Sequence, residues 1–104
     1  MWFTANLFFK SRHPDCSENE FLWESRIVWI EASSKNEALT IAQDIGKNGE
    51  CEYIAANSDL VKWTFERVER IFQVEVDQLR SGVELFSWFL RESEVKSLLT
   101  PFED

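Results

Sequence analysis

Ser34-Lys35-Asn36-Glu37 is a capping box, and it is the feature that most limits the fold. The Ser hydroxyl accepts from a free amide of the first turn, and the Glu reaches back. Ala38, Ile41, Ala42 and Ile45 follow at i, i+3, i+4 and i+7, one apolar stripe of an amphipathic helix. Gly46 and Gly49 both stand where they could end it. The spacing predicts a helix over 35–47. Most of the rest of the chain has period two, so this helix must serve a sheet.

The alternation begins at once. Phe3, Ala5, Leu7 and Phe9 share one face of a strand over 2–12. Trp2, Thr4, Asn6, Phe8 and Lys10 share the other. The polar stretch His13-Pro14-Asp15-Cys16-Ser17-Glu18-Asn19 reads as a loop between hairpin strands. A second strand is expected from about Phe21 to Ala32, with Phe21, Trp23, Ile27 and Trp29 on one face. Leu22, Glu24, Arg26, Val28 and Ile30 lie on the other.

After the helix, 50–56 reads as a third strand and Asn57-Ser58-Asp59 as a tight turn. A fourth strand runs from Leu60 to about Phe72. Its phase slips at Val68, which predicts a β-bulge near Glu66–Arg67. Asp77 to Gly82 reads as a turn or short helical piece, and Val83 to Leu90 as a fifth strand. Val95, Leu98, Leu99 and Phe102 form a second helical stripe from about Glu92, stopped by Pro101. The expected class is α+β: an antiparallel sheet of about five strands in the order β-β-α-β-β-β-α. Both helices are expected on one face, in a single domain over 1–104.

Several stretches resemble a small bacterial family described only as a domain of unknown function. These are Trp2-Phe3-Thr4-Ala5-Asn6-Leu7-Phe8-Phe9-Lys10, Leu22 to Val28, Glu37-Ala38-Leu39, Val61 to Val68, and Gly82-Val83-Glu84-Leu85-Phe86-Ser87. A glycine expected in the turn near Asn57–Asp59 is absent. The resemblance implies a bacterial single-domain protein. It brings no activity and no catalytic residues.

Charge and composition remove several functions. The net charge of -8 opposes phosphate backbones and anionic lipid, so neither nucleic acid nor membrane is an expected partner. The two cysteines, Cys16 and Cys51, lack the C-x-x-C spacing, and one His leaves a zinc set a ligand short. No phosphate-cradling glycine motif or calcium loop occurs. No cofactor is expected. The absence of a basic leader and of a long apolar run gives the cytoplasm as the expected compartment, with both thiols reduced.

His13 reads as a solvated loop residue. Cys51, between Glu50 and Glu52, has surroundings that oppose a thiolate. Glu24 and Glu84 sit inside apolar strands, so either one, if buried, would need a partner such as Arg26, Arg67 or Arg70.

Five Trp among 104 residues exceed what one sheet and one helix can hide. The expected function is therefore a non-enzymatic protein-interaction module. It would bury an aromatic sheet face of Trp23, Trp29 and Trp63, rimmed by Glu24, Arg26 and Arg67. The partner is another protein or a second copy. An acidic inhibitor or immunity-type binder fits the charge and size. The alternatives are a small-metabolite binder or small enzyme with a pocket between sheet and helix, and a structural homodimer.

Overall fold

A computed structural model of the chain describes residues 1–12, 21–56 and 58–100. The elements are β1 (Trp2–Arg12), β2 (Trp23–Glu31), α1 (Lys35–Asn48), β3 (Cys51–Ile54), β4 (Leu60–Val74) and α2 (Glu92–Leu99). Among the described residues the strands form one antiparallel sheet in the order β2-β1-β4-β3. The expected loop over His13–Asn19 lies outside the described residues, as do Pro101 and Phe102.

The alternation of β1 sets the layers. Phe3, Ala5, Leu7 and Phe9 are buried beneath α1, with Ile30, Ala32, Ala38 and Ala42 in the same cluster. Val28, Phe65, Val68 and Ile71 pack against it. Two alanines at the centre of the helix stripe let α1 lie close to the strands. Phe3, Leu7 and Phe9 have almost no accessible surface. Truncating such a side chain to Ala typically costs about 3–5 kcal/mol.

Ser34 caps α1 by accepting from the Glu37 amide at 3.1 Å. Gly49 closes the helix, and its N–H returns to the Ile45 and Gly46 carbonyls. Gly46 therefore does not end the helix, as the sequence had allowed. It lies buried inside α1, where a Cβ would intrude on the Phe65 ring. Glycine is there for close approach of helix to strand.

β4 carries the expected bulge and a second one. Phe8 stands opposite Arg67 and Phe9 opposite Phe65, which leaves Glu66 as the extra residue. Asn6 stands opposite Arg70 and Leu7 opposite Val68, which leaves Glu69 as another. Two bulges in one strand bend the sheet.

Two expectations need correction. Among the described residues the sheet has four strands, and 83–90 pairs with none of them. This stretch instead runs under the sheet face away from α1, where the Thr4 hydroxyl donates to the Leu85 carbonyl. Phe86 lies against Phe72 at 6.0 Å and against Trp88 at 5.1 Å between ring centroids. Phe86 is thus laid on the sheet, with Trp88 against it, rather than placed in a fifth strand. The helices also lie on opposite faces: α1 covers one, while α2 borders a cleft on the other.

The turn between β3 and β4 is closed by Ala55 and Asp59, whose N–H to O=C distance is 2.8 Å. Ser58 takes φ 71°, the left-handed conformation that favours the missing glycine. The later turn, in which Val83 N–H donates to the Arg80 carbonyl, has Gly82 at φ 91°.

Candidate functional site

The sheet face away from α1 is built from the even residues of β1 and the odd residues of β2. Asn6 is one of its buried polar positions, 8% exposed and on the same face as Thr4. Its amide Nδ2 donates to Glu69 Oε1 at 3.1 Å, and its Oδ1 accepts from the Ser25 hydroxyl. Arg70 Nε donates to the other Glu69 oxygen at 3.2 Å. The line Ser25–Asn6–Glu69–Arg70 therefore crosses three strands. The bulge at Glu69 makes this possible, because it puts an extra carboxylate beside β1.

This polar line lies in a cleft of about 470 Å³. Phe8, Trp88, Phe89 and Leu90 wall it, and α2 contributes Glu94, Ser97 and Leu98. Phe89 is 102% exposed and Leu98 68%, so the wall is apolar yet uncovered. Leu99, also on α2, is 79% exposed. No residue of α2 is buried. The chain exposes 8015 Å², against about 6,000 Å² for a compact chain of this mass.

The residues singled out in the sequence fall on two faces. Trp23 lies on the cleft face, half exposed, edge-on to Phe8 at 6.1 Å. Lys10 Nζ is 5.2 Å from its ring. Trp29 shares that face further along β2, stacked on Trp2 at 4.8 Å. Arg67 stands opposite Phe8 at the first bulge and is exposed.

Trp63 belongs to the α1 side. It packs against the core, and its Nε1 lies 3.4 Å from the Tyr53 hydroxyl. Glu24 and Arg26 are also on the α1 side, paired at 2.6 Å, with the Arg26 guanidinium 4.2 Å above the Phe9 ring. A single face holding Trp23, Trp29 and Trp63 within a rim of Glu24, Arg26 and Arg67 is thus not formed.

The carboxylates that looked informative in the sequence are both accessible. Glu24 has Arg26 as its partner, and Glu84 is exposed. Glu69 went unnoticed because its strand phase is legible only once the bulges are placed. Asn6 did leave a signal, as the one amide among the apolar residues of β1. Cys51 is an exposed free thiol, while His13 and Cys16 lie outside the described residues. Among the described residues no group of three or more His, Cys, Asp or Glu is placed to hold a metal. Among them, too, no helix is long and apolar enough to cross a membrane.

Fold and cleft together define a small α+β domain with one sheet face sealed by a helix and the other partly open. The chain belongs to the family described as "Domain of unknown function (DUF4288)", whose model matches residues 2–87. That match takes in the cleft floor and ends before the wall formed by Trp88, Phe89, Leu90 and Leu98. Neither the curated proteins nor the solved structures yield a match.

Proposed function

We propose that this domain is a non-enzymatic protein-interaction module that docks a protein partner on its cleft face. The observation that carries the reading is the uncovered apolar wall, Phe89 and Leu98, beside the half-exposed Trp23 and Ile27. Contiguous exposed apolar surface rimmed by polar groups is the usual mark of a protein interface. Trp23, which meets Phe8 of the cleft, and the cleft-lining Trp88 and Arg70 are residues of hot-spot type on this face.

A basic partner, as for an acidic inhibitor or immunity-type binder, fits the net charge of -8 and the acceptors Glu69 and Glu94 along the cleft. Trp29 supports the face by stacking on Trp2. Trp63, Glu24 and Arg26 act from the other side, in the fold. The cytoplasm remains the proposed compartment, and a bacterium the proposed source.

The test is recovery of the tagged protein from its own cells beside a Phe89→Ala/Leu98→Ala variant. A stoichiometric partner bound by the parent and lost by the variant is the expected result. A partner held equally by both overturns the reading.

One observation favours a second reading. A cleft of about 470 Å³ lies within the range of small-molecule sites. A metabolite held by Asn6, Glu69 and Arg70 would protect Phe8 and Trp88 without any protein partner.

A further inference from the structure

Among the described residues β2 is an edge strand, hydrogen-bonded to β1 alone. The Leu22 carbonyl accepts from the Ser11 N–H at 2.8 Å, and the Ala32 N–H donates to the Met1 carbonyl at 3.0 Å. Even residues of β2 therefore turn their backbone groups toward β1. By the two-residue alternation of antiparallel pairing, Trp23, Ser25, Ile27 and Trp29 turn theirs outward. The strand contains no Pro, and the bulges of this sheet lie on β4. It thus lacks two common devices for blunting an edge.

Its side chains are self-complementary about one residue. When β2 is laid antiparallel against a second copy with Ser25 facing Ser25, Glu24 meets Arg26 and Arg26 meets Glu24. Trp23 meets Ile27 and Ile27 meets Trp23. Continuing outward, Leu22 meets Val28 and Phe21 meets Trp29. Each pair joins opposite charges or two apolar side chains, the combinations that stabilise cross-strand neighbours. The side chains concerned are available: Trp23 is 51% exposed, Ile27 48% and Leu22 44%, while the Glu24 and Arg26 side chains are each 43% exposed. Moving the centre to Ile27 loses this match, because Glu24 then faces Ile30 and Arg26 faces Val28.

We infer that the domain self-associates through β2, forming a two-fold dimer in which two four-stranded sheets join into one of eight strands with Ser25 on the axis. A two-fold interface must be complementary to itself, and this register meets that condition. The existing Glu24–Arg26 pair becomes an alternating square of four charges. The strand edge is used rather than the sheet face, so the inference stands independently of the hetero-partner reading and leaves the cleft faces of both copies side by side.

Charge reversal tests the register. The wild-type chain is expected to sediment at twice 12.3 kDa. Glu24→Arg alone and Arg26→Glu alone each place like charges opposite one another, and each is expected to weaken the dimer at least tenfold. Mixing the two single variants brings opposite charges together again and restores a heterodimer. The double variant Glu24→Arg/Arg26→Glu restores a homodimer. A wild-type chain that stays monomeric at every concentration, or single variants that associate as well as wild type, overturns the inference.

A covalent test does not depend on charge. Ser25→Cys, in a chain also carrying Cys16→Ser and Cys51→Ser, is expected to form a disulfide-linked dimer under mild oxidation. The facing Cα atoms would then fall within the roughly 4.4–6.8 Å that a disulfide spans. Absence of a linked dimer overturns the inference.

Discussion

Asn6 Nδ2 donates to Glu69 Oε1 across 3.1 Å, joining a buried amide of β1 to the extra residue of a bulge in β4. This bond ties together the two central strands beneath the cleft. Asn6→Leu should remove it, leave Glu69 with only Arg70, and deprive the Ser25 hydroxyl of its acceptor. Loss of a part-buried partner typically costs about 1–3 kcal/mol. Urea unfolding of Asn6→Leu should show a loss of that size.

Gly46 faces the Phe65 ring so closely that a methyl group cannot be added without movement. An exposed helical Gly→Ala change usually stabilises, because Ala is the better helix former. Here overpacking should prevail, and Gly46→Ala should destabilise by about 1–3 kcal/mol. A gain in melting temperature would contradict the close approach of α1 to β4.

Ser58 should respond in the opposite sense. Its φ of 71° is left-handed, which costs a non-glycine residue roughly 1–2 kcal/mol. Part of that gain is offset by the greater freedom of glycine in the unfolded chain. Ser58→Gly should therefore stabilise by up to about 1 kcal/mol in the same urea assay.

Thr4 is 2% exposed, and its hydroxyl is the tie between β1 and the Leu85 carbonyl. Thr4→Val keeps the shape and removes the donor. Amide exchange over 83–99 should accelerate, while exchange within β1 and α1 stays close to wild type. Equal acceleration everywhere would show that the bond supports the whole fold rather than this segment.

The periodic parts of the fold were legible in the sequence, and the unpaired parts were not. The capping box at Ser34 and the alternation from Phe3 to Phe9 carry their own geometry, since each places apolar groups at the period of its element. The slip at Val68 revealed one bulge. The second stayed hidden because Glu69 and Arg70 are both charged and give no phase. Residues 83–90 alternate as a strand does. Whether such a stretch pairs at an edge or lies across a face depends on contacts such as Thr4 with Leu85, which no local pattern encodes. The same limit applies to the site. Trp63 was grouped with Trp23 and Trp29 by residue type, but the odd residues of β2 and Trp63 of β4 turn to opposite faces once β1 sits between them.

The central claim is that the cleft face, with Phe89 and Leu98, is where a protein partner docks. Side-chain footprinting of the tagged protein, free and with whatever it retains from its own cells, tests this most directly. The account predicts protection of Phe89, Leu98 and Trp23 in the complex, with Tyr53 on the α1 side unchanged. Protection of Tyr53 with Phe89 and Leu98 left as reactive as in the free chain would contradict it.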